Sequence, residues 1–177
     1  FRSPNDLVLA SRLIKGGTEH RKFLRQIMIS VDITAPLYWW KEFSTYKIGT
    51  VANSTSTMHK LASTPITWEC FEMDDLLQSE EIHQEDQAKA SIIELWEKTI
   101  SDLEGLRQLY LETGDTFYWK ELIRLLPSSW LQTRTITMNY ENVYSMYNQR
   151  KHHKLVEWKK DFCDWTNSLP YFQAMVD

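Results

Sequence analysis

Cysteine is scarce. Cys70 and Cys163 are the only two in 177 residues, too few for a disulfide framework or a cysteine-built zinc site. That usage suits a reducing compartment, so a cytoplasmic protein with no metal centre is expected. No apolar run reaches the roughly 18 residues that a membrane-crossing helix needs, and no signal-peptide pattern is visible. A basic excess is also missing. The net charge is -4, which argues against duplex nucleic acid as a partner. No internal repeat or low-complexity tract interrupts the chain. What is abundant is aromatic: eight Trp, eight Tyr and seven Phe. Such side chains fill cores or line sites for planar ligands. The length is that of one domain able to bury a sizeable core. A single domain over residues 1–177 is expected, with residues 61–86 as an acidic, solvated insertion.

Local patterns predict a helix-rich α+β fold with few strands. Asn5 or Asp6 is placed to cap a first helix over Leu7 to Lys15, ended by Gly16-Gly17. Ile27, Ile29, Val31 and Ile33 alternate with Met28, Ser30 and Asp32, the pattern of a half-buried strand. A helix start is expected at Thr34-Ala35-Pro36, carrying Leu37 to Phe43. Gly49 to Thr57 is rich in Ser, Thr and Asn and reads as a loop, or as a turn whose backbone N–H groups bind an anion. Gln87 to Leu111 is an amphipathic helix with Ile92, Leu95, Trp96, Ile100, Leu103 and Leu106 near helical spacing. A short helix over Phe117 to Leu126 stops at Pro127. Thr133 to Thr137 alternates as a strand does. Helices follow over Tyr140 to Arg150 and Leu155 to Thr166, with a last one near Pro170.

One spacing has chemical content. Arg150 falls eleven residues after Asn139, about three helical turns, so an amide and a guanidinium would share one face. A guanidinium donates parallel hydrogen bonds and stays charged. It suits a carbonyl that gathers charge, or a phosphate. Arg150 also reads as a cation at a helix carboxyl end, where the helix dipole favours it. Arg124 reads equally as a surface partner of Glu121 or Glu112. His20 alone is weak as a ligand, and the basic run from Arg150 through His152 and His153 to Lys154 reads as a solvated segment. Tyr38, Trp39 and Trp40 would stack on a planar ring or pack in the core.

Taken together, the order Glu121, Arg124, Leu126-Pro127, Asn139, Arg150 resembles the flavin-dependent thymidylate synthases. Tyr110 and Gly114 also match, as do Glu19-His20 ahead of the first strand and the pair Trp39-Trp40. In Asn53-Ser54-Thr55-Ser56-Thr57-Met58-His59, Asn53 and Ser56 match that family's N-E-x-S-x-R stretch. The R-H-R part of its signature falls on Tyr46-Lys47-Ile48, and its N-x-R becomes Asn139-Tyr140-Glu141. The resemblance implies that family's helix-rich fold with a small antiparallel sheet. It also implies methylation of dUMP to dTMP, with methylenetetrahydrofolate as carbon donor, FAD as the redox cofactor and NADPH as reductant, in a homotetramer. On that basis Arg150 is the catalytic candidate. His20, Lys47, Asn53 and Asn139 are candidates for the cofactor, and Ser56, Thr57, His59, Arg124 and Arg150 for the nucleotide. With two guanidinium groups missing from the signature, a non-redox nucleotide-binding or regulatory homologue of the same fold is the alternative.

Overall fold

The computed structural model describes residues 3–54, 56, 60–73, 76 and 87–176. Thr57 and His59 lie outside them, as does most of the acidic run between residues 74 and 86. The chain divides into two compact units. Unit 1 comprises residues 1–33, 43–53 and 135–177, and unit 2 comprises residues 34–42 and 54–134.

The described residues are helix-rich and include one three-stranded sheet, in the order β1-β3-β2. β1 spans Met28–Pro36, β2 Val51–Ser54 and β3 Leu131–Asn139. Side-chain bonds reveal how β1 meets β3. Ser30 faces Thr137 (3.4 Å), Thr135 donates to Asp32 (2.5 Å), and Thr34 faces Thr133 (2.7 Å). Each step forward on one strand is matched by an equal step back on the other, so the pairing is antiparallel. Successive strand residues point to opposite faces. The outward residues therefore form a polar ladder, while Ile136 and Met138 are fully buried on the inward side. β1 runs to Pro36 instead of yielding to a helix at Thr34, because Thr34 is engaged as a rung of that ladder. Helix α2 then occupies Leu37–Phe43.

In unit 1, helix α1 covers Pro4–Lys15. It begins earlier than Asn5 or Asp6 would place it. Ser3 is the capping residue, its N–H donating to Asp6 (3.1 Å), and Pro4 takes the first helical position, where a missing N–H costs nothing. A 3₁₀ turn over Arg21–Gln26 leads into β1. The stretch read as a loop after Gly49 holds β2, a four-residue strand exposed along its whole length. Backbone pairing at the sheet edge formed it without the alternation that marks a half-buried strand. Long helices α3 (Gln87–Thr113) and α4 (Thr116–Leu125) belong to unit 2. Asp115 caps α4, accepting from the Phe117 N–H (2.8 Å). Unit 1 resumes with α5 (Tyr140–Arg150), a π-helical turn over Glu157–Phe162, α6 (Cys163–Ser168) and α7 (Phe172–Val176). Its core includes Leu24, Val143, Met146, Trp158, Phe172 and Met175.

Unit 2 corrects the expectation of a solvated excursion from residue 61 onward. Leu61, Ile66, Phe71 and Met73 are buried against Ile100 and Leu103 of α3 and Leu122 of α4. The inward stripe of α3 is Ile100, Leu103, Arg107. Arg107 is 6% exposed, whereas Ile92, Leu95 and Leu109 face outward. A charge occupies the stripe because Arg107 is fully engaged there. It donates to both oxygens of Glu104 (2.7 Å each) and to the Ala62 carbonyl (3.1 Å), while Glu104 also accepts from the Ile66 N–H (2.8 Å). The pair thus ties the 60s segment to α3 through its own backbone.

Candidate functional site

The carboxyl end of α5 brings Arg150 into an aromatic setting within unit 1. Its Nε donates to the Tyr46 hydroxyl (2.8 Å), and its guanidinium lies 4.8 Å from the ring centre of Trp158 and 5.5 Å from that of Tyr46. Trp158 is fully buried and sits in the π-helical turn, a distortion that re-aims side chains and recurs at functional sites. Tyr46 also donates to Gln149 (3.3 Å). Aromatic faces attract a guanidinium through their ring quadrupole. The side chain is therefore fixed before any ligand arrives. Tyr46 is the residue that stands where the resembled signature begins with arginine. Here that position supports an arginine contributed by α5.

The amino end of α5 is a second cluster in unit 1. Asn139 and Asn142 cap the helix reciprocally: Asn142 N–H donates to Asn139 Oδ1 (3.1 Å), and Asn139 N–H to Asn142 Oδ1 (3.2 Å). Asn142 Nδ2 then reaches the Ile48 carbonyl (2.7 Å). The turn carrying Lys47 is closed by Thr50, whose hydroxyl donates to the Tyr46 carbonyl (2.8 Å). Gly49 has φ +78°, and a Cβ there would approach Asn142 to 3.2 Å, so both backbone hand and space call for glycine. Beside this cluster, Arg21 donates to both oxygens of Glu141 (3.0 and 3.1 Å) and stands 4.7 Å over the Tyr144 ring. Glu141 replaces an arginine of the resembled pattern, and Arg21 neutralises it.

Asn139 and Arg150 are thus not brought together. They stand at opposite ends of α5, about 16 Å apart along the axis at 1.5 Å per residue. Asn139 is spent as a cap. His20 is exposed, with its ring against Gly16, and Lys47 and Asn53 are exposed. In unit 2, Arg124 pairs with Glu121 on the surface of α4, the structural alternative that the spacing allowed. Ser56 is half-buried, its carbonyl accepting from the Lys60 N–H (3.0 Å). Trp39 and Trp40 are 2% and 1% exposed. They pack in the core, and of the two uses open to them this one leaves no ring face for a cofactor. Burial raises the Cys163 thiol above its ordinary range, unlike a nucleophile, which needs a lowered one. Among the described residues no group of three His, Cys, Asp or Glu is placed to hold a metal ion. No described helix is long and apolar enough to cross a membrane.

Two residues were missed on the sequence. Arg134 and Gln132 point inward from β3, in unit 2. Arg134 Nε donates to Gln132 Oε1 (2.9 Å), its guanidinium lies 4.4 Å from the Trp40 ring centre, and the Trp40 indole N–H donates to the Gln132 carbonyl (2.9 Å). Burial pushes the Arg134 guanidinium below its usual range. A signal existed: once Thr133, Thr135 and Thr137 are assigned outward, an arginine between them must face in.

The helix-rich α+β arrangement, with its small antiparallel sheet, defines the fold of the flavin-dependent thymidylate synthases. Two crystal structures of the enzyme ThyX from Helicobacter pylori, both with FAD and dUMP, match this chain with a TM-score of 0.65. Each match covers 98% of this chain and 82% of the other at 15% identity. No family model and no curated protein matches the sequence. The likeness is therefore one of fold.

Proposed function

We propose that this chain binds FAD and dUMP and transfers a one-carbon unit to the pyrimidine, as a flavin-dependent thymidylate synthase-like protein. The observation that carries the reading is Arg150, held by the Tyr46 hydroxyl and two aromatic faces at the end of α5. The fold it shares with ThyX complexed with FAD and dUMP supports it. As C5 of a uracil becomes nucleophilic, electron density shifts onto the ring carbonyl oxygens. A positioned guanidinium stabilises that charge without proton transfer, and positioning by Tyr46 lowers the entropy lost on binding.

An anionic flavin dinucleotide needs cations and N–H donors. Lys47 and His20 are exposed in unit 1, and the turn bearing Lys47 comes close to the α5 cap, a Cβ at position 49 lying 3.2 Å from the Asn142 side chain. That donor set suits the group: Lys47 and His20 would hold its anionic part, aided by the positive end of the α5 dipole. When bound, the flavin supplies the hydride. NADPH, methylenetetrahydrofolate and a homotetramer belong to the same reading.

The test begins with the visible absorption of the purified protein, before and after excess FAD and gel filtration. Retained flavin bands are expected, followed by conversion of dUMP to dTMP with NADPH and methylenetetrahydrofolate. Arg150→Ala should lower turnover about 10²–10³-fold while the flavin stays bound. A colourless protein that retains no FAD would overturn the proposal.

A further inference from the structure

Within unit 2, Arg134 poses a problem that the proposed chemistry does not absorb. It stands on the inward face of β3 beside Gln132, which is 8% exposed, and over Trp40, which is fully buried. Among the described residues no carboxylate pairs with it, and burial alone shifts its ionisation. Arg134 itself is half-buried; an arginine keeps its charge in proteins, and a partly desolvated charge without a counter-ion among the described residues carries a cost. Trp40 and Gln132 offset part of that cost. The indole face attracts the cation, and Gln132 Oε1 accepts from Nε. Arg134 Nη1 and Nη2 have no partner among the described residues. These are the two nitrogens that grip an oxyanion in parallel hydrogen bonds.

The orientation is also set in advance. Gln132 uses both ends of its structure: the backbone carbonyl takes the Trp40 indole N–H, and the side-chain oxygen takes Arg134 Nε. The Trp40 face holds one side of the guanidinium, and the Nε bond to Gln132 restrains its rotation. A cation merely tolerated at a half-buried position needs neither. We propose that Arg134, braced by Trp40 and Gln132, is an oxyanion-binding subsite that takes the phosphate or carboxylate group of a ligand. It is independent of flavin retention and of Arg150, and it adds an anchoring point that the sequence comparison did not supply.

The full chain is titrated calorimetrically with inorganic phosphate and, separately, with glutarate, each against sodium chloride at matched ionic strength. Saturable binding of at least one oxyanion is expected. Tighter phosphate binding assigns the subsite to a phosphate-bearing ligand, and tighter glutarate binding to a carboxylate-bearing one. Arg134→Gln should weaken the preferred anion at least tenfold. Gln132→Glu keeps Arg134 but supplies a counter-charge from within β3. It should also weaken binding at least tenfold and raise the urea midpoint. This second variant decides the matter if Arg134→Gln does not fold. No saturable binding of either anion, or binding by Gln132→Glu equal to that of the wild type, overturns the proposal.

Discussion

Two arginines of unit 2 turn inward, Arg107 buried and Arg134 half-buried, and they differ in what meets them. At the α3 seam, Arg107 finds both oxygens of Glu104 and the Ala62 carbonyl. On β3, Arg134 finds an amide oxygen and an indole face. Their ionisation moves in opposite directions for that reason. The Glu104 hydrogen bond raises Arg107, and burial lowers Arg134. Burial alone therefore does not set the direction in which a guanidinium's ionisation moves. The presence of an internal counter-charge does.

The largest expected effect sharpens this contrast in stability. Arg107→Ala leaves the Glu104 carboxylate and the Ala62 carbonyl without their partner, and breaking a partly buried pair in this way costs up to about 3 kcal/mol. Arg134→Leu removes a half-buried cation with no counter-charge among the described residues, so its unfolding free energy should stay within about 1 kcal/mol of the wild type or rise. Equal losses in the two variants would erase the distinction.

A second measurement uses pH. The Arg107 hydrogen bond holds Glu104 down at about 2, from an ordinary 4.5, against the opposing effect of burial, with help from the Ile66 N–H and Gln108. A depressed carboxylate stabilises the fold above its unfolded value. Its contribution is therefore complete above about pH 5 and drains away as pH falls towards 2. Urea midpoints taken from pH 6 to 2.5 should decline, and Glu104→Gln should flatten part of that decline. An unchanged slope would mean that the seam is not held by this charge.

The smallest effect extends the comparison to unit 1. Asn139 matches a cofactor-binding position of the resembled pattern, yet its side chain caps α5. Asn139→Ala should cost about 1 kcal/mol of stability, read from the thermal or urea transition. A variant as stable as the wild type would free Asn139 for a ligand role.

What could be read beforehand was local. The alternation in β1 and β3, the amphipathic run of α3 and the stop at Pro127 each depend on neighbours in sequence, and the structure places elements there. The order Glu121 to Arg150 pointed to the fold. The contacts that define the candidate sites are distant in sequence. Tyr46 meets Arg150 and Trp40 meets Gln132 across about half the chain or more, and nothing in the spacing of either partner announces the other. The core role of Leu61, Ile66, Phe71 and Met73 was hidden for a different reason. Glu69, Glu72 and the acidic run that follows made that stretch read as solvated, and only α3 and α4 reveal which side chains are inward. Arg134 escaped notice because it is hydrophilic, and its facing follows from strand parity rather than residue type.

The outward ladder of β1 and β3 acts like a vernier. Ser30, Asp32 and Thr34 mesh with Thr137, Thr135 and Thr133 at two-residue intervals. A slip of one residue in β3 would disengage every rung and turn that strand's side chains to the other face. Ile136 and Met138 would then meet water, and Arg134 would turn away from Trp40. The outward polar side chains thus index the opposite face of the sheet, so that a surface feature determines where an inward-facing charge comes to rest.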